Sequence, residues 1–312
     1  MAYVLALLSA GCYGAADFVG GLTARRVSTI AAVLFAQSSG LVLLVAAMPL
    51  LPPASPVRSD IVWGTIAGVM GSIGVALLYG ALAIGTMAVV APITAVCAVA
   101  IPVVAGVLLG ERLAIMTGAG VLLAMIAIVL VSQQPADRDA GSAPRDPAYR
   151  RDPAYRRDPA YGRHPACAAA ESRRPRLPPG VPQALLSGVA IGLFYLTLAR
   201  TAAAAGMWPL VAARAISVAM FAALAMLRRS RLRAPAPAVA LACGGGALDM
   251  LANALYLVAT RYGALSGVVT LSSLYPASTV VLARVVLGER LSRVQLAGIA
   301  CAFVAVMLIV GW

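Results

Sequence analysis

Leu108-Leu109-Gly110-Glu111-Arg112-Leu113 ends one apolar segment, and Val286-Leu287-Gly288-Glu289-Arg290-Leu291 ends another near the end of the chain. Each copy is followed at once by a further apolar segment. Glu111 and Glu289 lie 178 positions apart (289 minus 111). The same offset aligns further pairs: Gly14 with Gly192, Ser39 with Ser217, Gly68 with Gly246, and Gly120 with Gly298. This pattern indicates an internal duplication, which constrains the architecture of the whole chain.

The composition predicts an integral membrane protein. Hydrophobic residues make up 62% of the chain, charged residues 11%, and the mean hydropathy is +0.92, which excludes a soluble domain of this length. The net charge of +13 comes from arginines in loops beside apolar segments, so nucleic acid is not predicted as a partner. Cysteines are scattered and His164 is the single histidine, so we predict no metal site and no cofactor.

The apolar segments have the length of membrane spans. A hydrocarbon core about 30 Å thick needs roughly 20 helical residues. Ten such segments occur, and we interpret the first as a retained helix rather than a signal peptide. They are 3–23, 30–51, 61–84, 89–109, 114–132, 181–199, 207–227, 237–260, 265–287 and 292–312. The predicted fold is an all-α integral membrane protein with ten transmembrane helices.

Five spans per copy predict an inverted repeat. A chain that crosses the membrane five times enters its second copy from the opposite side. We therefore predict a first five-helix repeat at 1–132, a linker at 133–180 and a second five-helix repeat at 181–312. Inverted repeats place a substrate site between the halves, near the middle of the membrane.

The linker is predicted to be disordered. Arg145-Asp146-Pro147-Ala148-Tyr149-Arg150 begins a repeat with a period of six residues, and proline at that spacing forbids a continuous helix. A weaker alternative is that the arginines of this Arg/Pro-rich segment rest on anionic lipid headgroups.

The arginine distribution predicts which side faces the cytoplasm. Without the linker, eight arginines lie in loops on the linker side and four in the opposite loops, which places the linker in the cytoplasm and both termini outside. Arginine replaces lysine throughout, and Ala, Gly and Val are abundant, so we expect a high-GC bacterium and its cytoplasmic (inner) membrane.

These features resemble the drug/metabolite transporter superfamily, specifically its EamA-type members. The resemblance rests on ten spans in two halves, each with Gly-Glu-Arg before its last span, and on Pro276 as a helix kink. The first half departs from this pattern, because Ala98 holds the place equivalent to Pro276. The resemblance implies a secondary transporter, often for efflux of amino acids, other metabolites or drugs, and it implies cytoplasmic termini, contrary to the arginine count.

Ionisable residues inside spans mark the candidate site, because each costs about 2.5 to 3.5 kcal/mol to insert. Asp249 lies at the centre of the eighth span, with Asn253 and Tyr256 on the same helix face. Asp17 lies in the first span and Arg214 in the seventh. Two further candidates are Tyr13, one turn from Asp17, and Tyr195, the repeat counterpart of Asp17.

Two acids and one base suggest a pair. We hypothesise that Arg214 pairs with Asp17 or Asp249, and that the other acid binds a proton or a cationic group of the substrate. Asp249 is favoured as the functional acid because of its depth, so Asp249→Asn is predicted to abolish proton-coupled transport. A purely structural salt bridge has similar weight. The expected partners are a small-molecule substrate, membrane lipid and protons.

The repeated motif has two interpretations. Glu111 and Glu289 could latch a gate, or, as we favour, Gly110-Glu111 and Gly288-Glu289 could stabilise helix ends by packing and capping. The protein is not expected to be an enzyme. Two alternatives to transport are kept: an intramembrane enzyme, disfavoured because the spans contain no histidine, and a transport-inactive membrane partner protein.

Overall fold

The structure is a computed structural model that describes residues 1–24, 27–84, 87–111, 114–131, 133, 180–230, 232, 234–287 and 292–310. Most of the predicted linker lies outside these residues. The second copy of the motif, with Gly288 and Glu289, also lies outside them.

The described residues form helices joined by turns. In chain order these are α1 (Ala2–Ala24), α2 (Thr29–Ala47), α3 (Arg58–Ile84), α4 (Met87–Leu108), α5 (Ile115–Val131), α6 (Val181–Ala199), α7 (Trp208–Leu227), α8 (Ala236–Thr260), α9 (Leu265–Ser272), α10 (Tyr275–Leu287) and α11 (Arg293–Val310). Within the described residues, seven helices are long and apolar enough to cross a membrane. The Ile93–Leu108 part of α4 and the whole of α5 are shorter apolar helical segments. The all-α prediction is confirmed for this part of the chain.

The ninth predicted span is two helices instead of one kinked helix. α9 ends at Ser272 and α10 begins at Tyr275, with a turn between them in which the Leu274 N–H donates to the Leu271 carbonyl at 3.2 Å. Pro276 has no N–H, so the Ser272 carbonyl four residues earlier has no intrahelical donor. The corresponding helix of the first half, α4, is continuous.

The helices of each half pack mainly against helices of the other half. α1 packs along α8, and its repeat counterpart α6 packs along α3. α2 packs against α8, and its counterpart α7 packs against α3. α5 packs against its own counterpart α11. The contacts are therefore preserved when each helix is exchanged for its repeat counterpart.

Repeat-related glycines lie at equivalent helix crossings. A Cβ atom at Gly68 of α3 would lie 2.4 Å from the Ala213 carbonyl oxygen of α7. A Cβ atom at Gly246 of α8 would lie 2.0 Å from the Ala36 carbonyl oxygen of α2. Small residues of this kind let the backbones of membrane helices touch. The two crossings bring α2, α3, α7 and α8 together around the centre of the bundle.

The loops opposite the linker are joined to each other. We call this end of the bundle the distal end; it contains the loops α2–α3, α4–α5, α6–α7 and α8–α9. The Ser55 N–H donates to the Ala204 carbonyl at 2.8 Å, and the Ala202 N–H donates to the buried Asp60 carboxylate at 2.8 Å. Asp60, at the start of α3, thus ties that helix to the α6–α7 loop.

Candidate functional site

A cavity of about 150 Å³ lies in the middle of the bundle. We call it the central cavity. Its lining residues come from α1, α2, α3, α6, α7, α8 and the first residue of α10, and so from both halves. The predicted candidates that line it are Tyr13, Asp17, Tyr195, Arg214, Asp249 and Asn253. The site is therefore built from residues that lie far apart in the sequence.

Arg214 and Asp249 form an ion pair within this wall. The Arg214 guanidinium donates to the Asp249 carboxylate across the α7–α8 contact. Both residues line the cavity, and with the Arg214 side chain 8% exposed and the Asp249 side chain 34%, the carboxylate is the more accessible member of the pair. Of the two pairings hypothesised from the sequence, the structure contains this one.

A short hydrogen-bonded chain extends from Asp249 to α1. The Asn253 side-chain amide donates to the Asp249 backbone carbonyl at 2.7 Å, one turn earlier in α8. The Tyr13 hydroxyl donates to the Asn253 side-chain oxygen at 2.9 Å. The Tyr13 hydroxyl, the Asn253 side-chain amide and the Asp249 carbonyl all lie inside spans, and each has a hydrogen-bonding partner, as buried polar groups require. The chain fixes the Tyr13 ring beside the ion pair.

Aromatic rings form one wall of the central cavity. Tyr13 meets Tyr195 and Tyr275 edge to face, with ring centroids 6.3 and 6.2 Å apart. Phe194 lies 5.4 Å from Tyr195, centroid to centroid. Tyr256 is fully buried behind this wall, and its hydroxyl donates to the Tyr195 backbone carbonyl at 2.9 Å. Of the predicted tyrosines, Tyr256 therefore supports the site without lining it.

Asp17 is the acid that remains without a partner. It lies one turn beyond Tyr13 on α1, is exposed to the central cavity, and has no ion pair or hydrogen bond among the described residues. The cavity wall therefore carries two carboxylates and one guanidinium, which leaves one negative charge. When all three groups are ionised, the unbalanced charge is that of Asp17, because Arg214 is paired with Asp249.

Four polar residues of the cavity were not among the predicted candidates: Gln37, Ser72, Ser217 and Tyr275. The Gln37 side-chain oxygen and the Ser217 hydroxyl are buried, line the cavity and have no hydrogen-bonding partner among the described residues. Gln37 is an amide in the middle of a span, which was a usable signal. Ser217 carried a weaker signal, since a lone serine in a membrane helix commonly bonds to its own backbone.

Glu111 lies outside the central cavity, at the distal end. Its carboxylate accepts hydrogen bonds from the Ser266 hydroxyl at 2.6 Å and the Ser266 N–H at 3.3 Å, in the first turn of α9. Gly110, with φ of +97°, turns the chain after α4 so that Glu111 points to this helix terminus. A second cavity of about 350 Å³ lies beside Glu111. The first motif copy thus caps a helix of the other half.

Replacing Glu111 by Gln is expected to lower stability before it changes substrate affinity. The variant loses the negatively charged acceptor at the α9 N-terminus, and we expect this loss to lower the free energy of unfolding by about 1 to 2 kcal/mol. Thermal unfolding in detergent measures this loss. Ser266→Ala removes the partner of the same hydrogen bond. The double variant should therefore lose less stability than the two single variants together, because both substitutions remove the same contact. An unchanged melting temperature with weakened substrate binding would instead indicate a gate.

The comparisons with known proteins agree with this architecture. The EamA-like transporter family matches the chain twice, over residues 1–133 and over residues 178–311. The chain belongs to this family. The resemblance stated from the repeated motif is thereby confirmed. Membership makes this EamA-like protein a multi-pass membrane transporter of the drug/metabolite type for a small-molecule substrate, rather than an enzyme.

Among the solved structures with a similar fold is a crystal structure that matches nearly the whole chain. The TM-score is 0.68 with 17% identity, over 98% of this chain and 95% of the other. At this identity the similarity shows a common fold alone. No curated protein matches the chain significantly.

Proposed function

We propose that the protein is a secondary active transporter that exports small metabolites, amino acids or drug-like compounds from the bacterial cytoplasm by alternating access, with protons as the coupling ion. The observation that carries this proposal is the unpartnered carboxylate of Asp17 in the central cavity. An acid that binds a proton in one state and a substrate in the other can couple the two fluxes. Ionisable residues facing a cavity within membrane helices mark proton and substrate pathways.

The surroundings of Asp17 support this role. The charged and titratable groups that share the cavity with it are Tyr13, Tyr195, Arg214, Asp249 and Tyr275. Arg214 is paired with Asp249, so no cation within this set neutralises Asp17. A proton or a cationic ligand is then the group that balances its charge.

The exchange of packing partners between the halves supports two inverted repeats, at 1–132 and 181–312, joined by the linker at 133–180. In transporters of that kind, one repeat rocks against the other around a central site. The hydrogen bonds that join the distal loops would hold that end closed, and they would have to break when the cavity opens there. Breaking these few hydrogen bonds would cost less free energy than separating the packed helix crossings.

Transport in proteoliposomes tests the proposal. The purified protein is reconstituted, an inward or outward pH gradient is imposed, and a panel of amino acids, cationic drugs and small organic acids is added. We expect at least one compound to move faster with the gradient than without it, and to carry protons in the opposite direction, as read by a trapped pH dye. Equal fluxes with the gradient collapsed by an ionophore would contradict proton coupling.

A further inference from the structure

The charge of the central cavity selects the charge of the ligand. With Arg214 and Asp249 paired, ionised Asp17 leaves the cavity with a single negative charge. A ligand carboxylate would meet that charge without a free cation among the described lining residues, because the Arg214 guanidinium is already bonded to Asp249. Placing a like charge in a low-dielectric cavity is strongly unfavourable. A ligand with one positive charge leaves the cavity neutral.

The polar atoms without partners select hydrogen-bond donors. Gln37 presents a buried side-chain oxygen, which accepts hydrogen bonds, and Asp17 presents a carboxylate that also accepts them. Ser217, 4% exposed, presents a hydroxyl that can accept or donate. Among the residues that the structure describes, none provides a hydrogen bond to these atoms, so the ligand or water is left to do so. A protonated amine offers several N–H donors on one atom.

The aromatic wall selects the body of the ligand. Tyr13 lies four residues before Asp17 on the same face of α1, so the two side chains are separated by one helical turn of about 6 Å. Tyr195, Phe194 and Tyr275 continue the wall around Tyr13. Tyr13 and Tyr195 are buried, so the half-buried rings of Phe194 and Tyr275 are the ones that a flat apolar group can contact. An ammonium group near these rings gains from cation–π attraction.

The volume limits the size of the ligand. The central cavity measures about 150 Å³. An apolar protein cavity of about that volume holds one benzene ring. A ligand that combines an aromatic ring with an amine must therefore be compact, and the spacer that joins its ring to its amine must be short enough for both groups to fit in this cavity.

We propose that the substrate class is a small organic monoamine, in which one ring, seated against the aromatic wall at Phe194 and Tyr275, is joined by a short spacer to an ammonium group held by Asp17 and Gln37. This inference rests on the proposed transport function, since it names the substrate of the same cavity. It excludes small organic acids as substrates of the conformation described.

Ligand binding to the purified protein in detergent tests the inference without any gradient. The probes are phenethylamine, the neutral isostere 2-phenylethanol and the anion phenylacetate, titrated by calorimetry. We expect phenethylamine to bind at least about tenfold more tightly than either analogue. Asp17→Asn should remove that preference, whereas Gly11→Ala, on a part of α1 with open space beside it, should keep it. Asp17→Glu retains the acid and provides a second variant if Asp17→Asn does not fold.

Two results would overturn the inference: phenylacetate binding as tightly as phenethylamine, or no measurable binding of the amine to the folded wild-type protein. The proposed function fails separately. If phenethylamine binds but no compound is transported in proteoliposomes, the transport proposal fails and the binding inference stands. If organic acids are transported and the amine does not bind, the inference fails and the transport proposal stands.

Discussion

Replacing Asp17 by Asn is expected to abolish gradient-driven transport while the protein still folds. Asn has nearly the same shape as Asp but cannot bind or release a proton, so the cavity loses its one unbalanced charge. Because Asp17 makes no hydrogen bond or ion pair with the described residues, its replacement breaks no internal contact among them. Substrate flux and counter-flux of protons in proteoliposomes are the measurements, with thermal unfolding in detergent as the measure of folding.

Asp249→Asn provides the contrast. Asp249 is paired with Arg214, whose side chain is 8% exposed, so Asn at 249 leaves a buried guanidinium without its counter-charge. Breaking a pair of this kind is costly, and since the carboxylate side is one-third exposed, we expect a loss of about 2 kcal/mol. The sequence alone favoured Asp249 as the functional acid; its pairing now makes Asp17 the better candidate. If Asp17→Asn transports normally and Asp249→Asn alone does not, the assignment is reversed.

Replacing Gly246 by Ala is expected to prevent proper packing of α8 on α2. The added Cβ would lie 2.0 Å from the Ala36 carbonyl oxygen and 2.4 Å from the Ser39 hydroxyl. The Ala36 oxygen belongs to the backbone, so the helices themselves would have to separate. Overpacking of this kind costs typically 1 to 3 kcal/mol, and we expect about 3 kcal/mol or a loss of folded protein. Monodispersity in size-exclusion chromatography and thermal unfolding measure the effect.

Gly244→Ala is the matched control, two residues earlier on the same helix. A Cβ at Gly244 has no atom within 4 Å, so the substitution adds no clash. Alanine is also the better helix former, by up to about 1 kcal/mol. We expect unchanged or slightly raised stability, and equal losses at both positions would mean that the close approach at Gly246 is not what requires glycine.

The crossing at Gly246 also shows how far the repeat could be read in advance. The offset that aligns Gly68 with Gly246 was visible in the sequence, and both glycines lie where their helices touch a helix of the other half. The sequence did not reveal which helices those are. The sequence did show that the first half has Ala98 where the second has Pro276, but not that the span with Pro276 is broken into two helices while α4 is continuous.

The apolar segments, their duplication and the few ionisable residues inside them can be read directly from the sequence, because lipid admits charged groups only at a high cost and they are therefore rare in spans. The tertiary structure decided which of these residues meet. Arg214 bonds to Asp249 across two helices, Tyr13 reaches Asn253 from 240 positions away, and Glu111 caps a helix whose first turn is 155 positions away. Such pairings depend on how two halves of similar sequence pack on each other. Hydropathy and spacing contain no record of that arrangement.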